Sequence, residues 1–147
     1  MNSDFSDMLS ALSAEGVEYL LIGAYAMAAH GVPRATGDID IWVRPSPDNA
    51  DRVLRALARF GAPMGELHAA DLAAEGTVFQ VGVAPNRVDL MTTIDGVTFE
   101  EAWSQRETRV IDGVTLSVIG RDDLIRNKRA TGRARDKADA EQLEEMK

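Results

Sequence analysis

The stretch Asp38-Ile39-Asp40-Ile41-Trp42-Val43 has two carboxylates one residue apart within an apolar run. Because successive side chains of a strand point to opposite faces, the pattern predicts a strand with both carboxylates on one face. Asp38 and Asp40 would repel each other across roughly 7 Å between their Cα atoms unless a cation lies between them. Mg²⁺ suits these oxygens, since it is commonly bound by one or two carboxylates together with substrate phosphates. The alternative interpretation is a plain edge strand with two solvated acids.

Gly23 separates a predicted buried strand over residues 17–22 from an alanine-rich helix that ends at Gly31. A helix that begins directly after a strand has backbone N–H groups without intrahelical partners, and an anion can bind there. Glycine also lets a phosphate approach the backbone without a Cβ in the way. Such turns are common, so this one indicates a phosphate site only together with other signals.

A third carboxylate, Asp89, lies on a predicted strand over residues 87–92. Alternation along that strand directs the residues before and after Asp89 inward and directs Asp89 to the opposite face. A strand over residues 77–83 precedes it, with Val83 among the side chains of one face. The two strands would form a hairpin that could lie beside the strand of Asp38. The pattern therefore predicts three carboxylates on two neighbouring strands.

Local signals predict the remaining elements. Ser46 and Pro47 are a strong helix start, Thr98 and Glu101 have the spacing of a capping box, and Asp112-Gly113 is the best hairpin signal in the chain. Helices are predicted over residues 3–15, 47–61, 69–74, 122–132 and 135–145, and over a short segment after Thr98. Ser3 is the predicted N-cap of the first helix. Ala138 and Leu143 are the predicted buried residues of the last helix. The predicted hairpin strands cover residues 107–111 and 114–118.

Length and composition limit the classes of protein. The 147 residues are enough for a single domain with a hydrophobic core over residues 1–147. No cysteine is present, so disulfides and thiolate metal sites are excluded, and the two histidines, His30 and His68, make a zinc site improbable. No apolar run approaches the roughly 20 residues of a membrane span, and the first residues lack the pattern of a signal peptide. We therefore expect a cytoplasmic protein with no membrane partner.

The charge is unevenly distributed along the chain. A formal net charge of −8 argues against an extended nucleic-acid footprint, because phosphate contacts require clustered Lys and Arg. Residues 121–137, however, carry seven basic and three acidic side chains. A basic segment on an acidic protein suits a small phosphorylated ligand or a narrow contact with RNA, although such runs are more often a solvated helix surface.

The stretches Gly23–Ala26 and Gly31–Asp40, taken together, resemble the signature of minimal nucleotidyltransferases of the DNA polymerase β-like superfamily. The closest resemblance is to the AbiE-type toxin branch and its small relatives. The pattern of that branch runs glycine, then glycine or serine, an alanine-bearing helix, glycine, arginine, threonine and the Asp-x-Asp pair. Residues 119–140 also look like its basic C-terminal segment.

The resemblance implies an α/β (α+β) fold in which a small mixed β-sheet is flanked by helices, with a helical C-terminal segment. It implies that Asp38 and Asp40 are Mg²⁺ ligands and that Asp89 is the third carboxylate, either a ligand or the base for the attacking hydroxyl. The nucleotide-binding residues that it implies are Gly23, Ala24, Arg34, Thr36 and Lys128. Ala24 departs from the pattern, because its backbone N–H remains but a hydroxyl that could contact phosphate is lost.

Several of these residues also have a purely structural interpretation. Arg34 and Thr36 could simply shape their turn, and Lys128 could be a surface residue. Asp136 and Asp139 could simply pair with Arg133 and Arg135 at helical spacing, which contributes only about 0.2–0.5 kcal/mol per pair.

The sequence leaves three hypotheses about function. The first is a Mg²⁺-dependent nucleotidyltransferase that transfers a nucleoside monophosphate from an NTP to a hydroxyl of RNA, protein or a small molecule. The second is a non-catalytic nucleotide-binding or partner-binding module, which the loss of a hydroxyl at Ala24 motivates. The third is a toxin–antitoxin component whose main partner is a cognate antitoxin.

Overall fold

The computed structural model describes residues 1–34, 37–83 and 86–146. Its helices are α1 (Ser3–Ala14), α2 (Gly23–Ala29), α3 (Pro47–Phe60), α4 (Ala69–Ala73), α5 (Phe99–Ser104), α6 (Arg121–Ala130) and α7 (Ala134–Glu145). Its strands are β1 (Tyr19–Ile22), β2 (Ile39–Val43), β3 (Val78–Val81), β4 (Val88–Met91), β5 (Glu107–Ile111) and β6 (Val114–Val118). None of the helices in the described residues is long and apolar enough to cross a membrane.

The six strands form one mixed sheet in the order β3-β4-β2-β1-β6-β5. β2 pairs with β4 in parallel and with β1 antiparallel, while β1 pairs with β6 in parallel. The β3–β4 and β5–β6 pairs are antiparallel hairpins. The prediction of an α/β fold with a small mixed sheet flanked by helices is therefore confirmed.

The hydrophobic core covers both faces of the central strands. All four residues of β1 are buried, and successive residues of a strand point to opposite faces. On β2, Ile39 and Ile41 are fully buried on the face opposite Asp40. The amphipathic α1 contributes a buried stripe at i, i+3, i+4 and i+7 spacing, which consists of Phe5, Met8, Leu9 and Leu12. Packing on both faces makes β2 a rigid support for its polar side chains.

The predicted start of α3, the capping box of α5 and the turn between β5 and β6 are present. The Ser46 Oγ accepts a hydrogen bond from the Asn49 N–H at the start of α3. Thr98 and Glu101 form the reciprocal capping box that begins α5. Asp112, with φ 52°, and Gly113, with φ 78°, have the left-handed backbone that a two-residue hairpin turn requires.

Several local predictions were wrong at the ends of elements; β1, for example, begins at Tyr19 rather than at residue 17. The N-cap of α1 is Asn2 rather than Ser3, because the Asn2 Oδ1 accepts a hydrogen bond of 2.8 Å from the Phe5 N–H. Strand β3 ends at Val81, since Gly82 adopts φ 83°; Val83 therefore lies outside the strand and is 79% exposed. Helix α6 begins one residue earlier than predicted, after Gly120 as N-cap.

The buried face of α7 also differs from the prediction. Ala138 is exposed, whereas Leu143 is buried as expected. The buried positions are Asp136, Asp139, Ala140 and Leu143, which recur at i, i+3, i+4 and i+7. A helical stripe that begins with two acids is not recognisable as a buried face from hydrophobicity alone, and this is why the sequence prediction failed here.

Candidate functional site

Asp40 and Asp89 are direct neighbours on the parallel strands β2 and β4, where they are Cα partners. Asp38 lies just before β2, and its Oδ1 accepts a hydrogen bond of 3.0 Å from the backbone N–H of Arg87. All three carboxylates line one cavity of about 390 Å³. The parallel register therefore brings together the three acids that the sequence singles out.

The carboxyl group of Asp40 carries the strongest electrostatic perturbation of the site. Burial is the main cause, and the negative charges of Asp89 and Asp38 act in the same direction. The positive charges of Arg87 and Lys128 oppose them only in part, so the pKa of Asp40 is raised to about 6. A perturbed carboxyl group in a polar cavity marks a candidate functional position.

Arg87 is the main countercharge of the three acids. Its Nε donates to the Asp89 Oδ1 at 2.7 Å, and its terminal nitrogen donates to the other Asp89 oxygen at 3.1 Å. The same terminal nitrogen lies 3.6 Å from the Asp38 Oδ2. A planar guanidinium matches a carboxylate in this two-point geometry, which is stronger and more specific than a single contact. Arg87 therefore links β4 to the segment that leads into β2.

Gly23 packs directly against the Asp40 carboxylate. Its φ is 65°, and a Cβ added there would overlap the Asp40 side chain. Alanine would be strained in this left-handed backbone even without that overlap. From the sequence, glycine is expected to give a phosphate access to the backbone at position 23. The structure shows a second reason for glycine there, because only glycine leaves space for the Asp40 side chain. Ala24 lines the same cavity.

The hairpin of α6 and α7 brings cations and acids to the opposite wall of the cavity. The Lys128 Nζ lies 3.3 Å from the Asp136 Oδ1 and 3.2 Å from the Asp139 Oδ2. Asp139 also pairs with Arg34, and Asp136 accepts a hydrogen bond of 2.7 Å from the Arg133 Nε. The predicted pairing at helical spacing therefore holds for Asp136 with Arg133, the N-cap of α7, while Asp139 instead connects α7 to the segment before β2. The side chains of Lys128, Asp136 and Asp139 are mostly buried, whereas that of Arg133 is 74% exposed.

A second cavity of about 320 Å³ continues from the first beneath α6. The two cavities share Gly23, Asp40, Lys128, Arg133 and Asp136. Beyond this shared part, the second cavity is lined mostly by neutral or apolar side chains such as Met91, Thr93 and Ile94, and also by the acidic side chain of Asp95. The cleft therefore has a strongly charged part and a more neutral part.

Most of the predicted site residues lie together on the charged cavity. They are Gly23, Ala24, Arg34, Asp38, Asp40, Asp89 and Lys128. Thr36, the other predicted nucleotide-binding residue, lies outside the described residues. The cavity is also lined by Arg87, to which the sequence assigned no role, and by Arg133 and Arg135, which were expected only as members of the basic segment and as partners of Asp136 and Asp139. Strand alternation could have found Arg87, because it predicts that Arg87 shares a face with Asp89.

The donor chemistry of the three acids suits a hard divalent cation, because carboxylate oxygens are the ligands that Mg²⁺ prefers. Such a cation would relieve the repulsion by Asp89 and Asp38, which adds to the effect of burial in raising the pKa of Asp40. In residues 1–34, 37–83 and 86–146, however, no three acidic or histidine side chains already surround a point where a metal could sit. The Arg87 guanidinium lies against two of the acids, so a cation could join them only after that side chain moves.

Comparison with known proteins gives a family and a fold. Residues 1–147 match the model of a family described as nucleotidyl transferase of unknown function (DUF2204). The fold is similar to the crystal structure of a candidate nucleotidyltransferase from Thermotoga maritima, with a TM-score of 0.59 and 16% sequence identity. The similarity covers 94% of this chain and 86% of that chain, and at such identity it concerns the fold alone. No curated protein matches the chain.

Proposed function

Since this chain belongs to the nucleotidyl transferase family described above, we propose that it transfers a nucleoside monophosphate from an NTP to a hydroxyl group in a Mg²⁺-dependent reaction. The observation that carries the proposal is the shared cavity of Asp38, Asp40 and Asp89, which also contains the cations Arg34 and Lys128. Carboxylates for a metal and cations for phosphates are the two requirements of phosphoryl transfer.

Each group has a role in the proposed reaction. Asp38 and Asp40 would hold the cation, which when bound supplies positive charge to the phosphate oxygens. Arg34 and Lys128 would bind the triphosphate at the wall formed by the helical hairpin. Asp89 would be a further ligand or would accept the proton of the acceptor hydroxyl. The acceptor oxygen forms a bond to the α-phosphorus, the bond between that phosphorus and the bridging oxygen breaks, and pyrophosphate leaves.

The test is transfer of label from α-labelled NTPs in the presence of Mg²⁺ and cell extract. We expect wild type to label an acceptor, and Asp40→Asn to lose at least about a hundredfold in rate, because an amide cannot replace the charge of a carboxylate ligand. Asp51→Asn is a matched control, since Asp51 is an exposed acid of α3 outside the cavity. Equal labelling by wild type and Asp40→Asn would refute the catalytic proposal.

A non-catalytic nucleotide-binding module is the second candidate. The observation that favours it is the set of ion pairs of Arg87, which already neutralise Asp38 and Asp89 without a metal. Titration calorimetry with a non-hydrolysable NTP analogue distinguishes the two candidates. Binding that is equally tight with and without Mg²⁺ favours the module, whereas a transferase should need the cation to bind the triphosphate well.

The narrower assignment that we propose is the AbiE-type toxin branch, acting in the cytoplasm with a cognate antitoxin as partner. Support comes from the signature between Gly23 and Asp40 and from the basic C-terminal segment. RNA, a protein or a small molecule would then supply the acceptor hydroxyl. Growth arrest on expression, relieved by a neighbouring gene product, is the expected result, and normal growth would count against the toxin assignment.

A further inference from the structure

We propose that Arg87 competes with the divalent cation for Asp38 and Asp89, so that the guanidinium holds these carboxylates until a cation displaces it. The inference rests on the proposed function, because it concerns the same carboxylates. It adds a role for a residue that neither the family signature nor the resemblance assigns.

The Arg87 guanidinium already lies against two of the three acids. It makes two hydrogen bonds to Asp89, at 2.7 and 3.1 Å, and lies 3.6 Å from Asp38. Asp89 and Asp38 are two of the three acids proposed to serve the cation, and the third, Asp40, is the Cα partner of Asp89. A group of three neighbouring carboxylates is costly without positive charge, and Arg87 supplies it in the absence of metal.

The Arg87 side chain can move while the backbone of Arg87 stays in place. The Arg87 side chain is 32% exposed, whereas that of Asp89 is only 11% exposed. The backbone of Arg87 donates to Asp38 at 3.0 Å and accepts from the Ile39 N–H at 3.0 Å. These backbone bonds do not depend on the guanidinium. A substitution of the side chain therefore removes the countercharge and leaves the pairing between the two strands.

A displaced Arg87 guanidinium would find another partner in the same cavity. Arg87 lines the same cavity as Arg34 and Lys128, the two cations proposed to bind phosphate. A guanidinium released from carboxylates can form the same two-point contact with a phosphate. Cation and nucleotide would then bind better together than either alone, because the nucleotide replaces the carboxylates as partner of Arg87.

The test measures Mn²⁺ binding by electron paramagnetic resonance of the free ion, without nucleotide, so it does not depend on enzymatic activity. We expect Arg87→Gln to bind Mn²⁺ at least about tenfold more tightly than wild type, because the loss of charge-assisted bonds removes the competitor. Arg87→Lys, which keeps the charge but loses the two-point contact, should lie between them. Arg55→Gln is the control, since Arg55 pairs with Glu15 on the surface at 3.2 Å and lies outside the cavity.

Displacement of the Arg87 guanidinium by Mg²⁺ can also be followed directly. The Nε–Hε resonance of Arg87, assigned by its absence from Arg87→Gln, should shift when Mg²⁺ is added to wild type. Equal Mn²⁺ affinity of wild type and Arg87→Gln, or a resonance that stays unchanged while Mg²⁺ is bound, would overturn the inference. If wild type nevertheless transfers nucleotides and Asp40→Asn does not, the proposed function stands and only the competition fails. If no variant binds Mn²⁺ even with an NTP analogue present, the proposed competition and the proposed function both fail.

Discussion

Gly23→Ala tests the close contact between the glycine turn and the catalytic candidate Asp40. The substitution has two separable effects. Alanine at φ 65° lies in the left-handed region, which costs roughly 1–2 kcal/mol for an L-residue. In addition, the new Cβ overlaps the Asp40 carboxylate, and forced overpacking of this kind typically costs about 1–3 kcal/mol. We therefore expect Gly23→Ala to lower the free energy of unfolding by about 2–5 kcal/mol.

Gly16→Ala provides the matched control. Gly16 has φ 70°, close to the φ of Gly23, but no heavy atom lies within 4 Å of a Cβ built there. Its substitution should therefore cost only the backbone term of roughly 1–2 kcal/mol. The difference between the two variants isolates the contact with Asp40.

The assay is urea denaturation followed by circular dichroism for wild type and both variants, together with label transfer. Gly23→Ala should unfold at lower urea concentration than Gly16→Ala and should lose at least about tenfold in transfer rate, because Asp40 is displaced. Equal unfolding free energies for the two variants would refute the reasoning that Gly23 is required to make room for Asp40.

Two further predictions concern the buried acids of α7. Burial raises the pKa of Asp136, but hydrogen bonds from Thr131, Arg133 and Lys128 outweigh it, and the pKa lies below its ordinary value of 3.8. Asp136 therefore stabilises the fold above pH 3.8, and this contribution is lost as the pH falls through the lowered pKa. Asp136→Asn should cost about 1–3 kcal/mol at pH 7 and nothing at the lowest pH, and a pH-independent difference in urea denaturation would contradict this. Asp139→Asn should also cost about 1–3 kcal/mol, because it leaves Lys128 and Arg34 without their shared carboxylate. Asp122→Asn, at a 92% exposed side chain, is the control for thermal denaturation, and an equal effect of both substitutions would contradict a structural role of Asp139.

Local chemistry explains why most of the secondary structure could be predicted. The start of α3 depends on Ser46 and Pro47, and the β5–β6 turn depends on Asp112 and Gly113. These signals act within a few residues and need no partner elsewhere in the chain. Prediction failed where a distant partner determines burial, as on α7, whose buried face includes Asp136.

In the candidate site, too, the sequence predicted what local geometry determines and did not predict which distant residues meet. Strand alternation identified the face of Asp40 and the face of Asp89, because it depends only on the geometry of a single strand. That these two residues are Cα partners depends on the parallel register of β2 and β4. Spacing in the chain does not encode that register.

The chain alone therefore determined which elements form and which side chains carry the chemistry, since propensities, caps and alternation are local. Tertiary packing determined which of those side chains meet. Arg34 pairs with Asp139 across 105 residues, and Asp40 packs against Gly23, because sheet register and helix packing bring distant segments into contact. The position of Arg87 depends on the local pattern and on the tertiary structure together. Alternation predicts its face, but only the pairing of β2 with β4 brings its guanidinium against the carboxylates of Asp89 and Asp38.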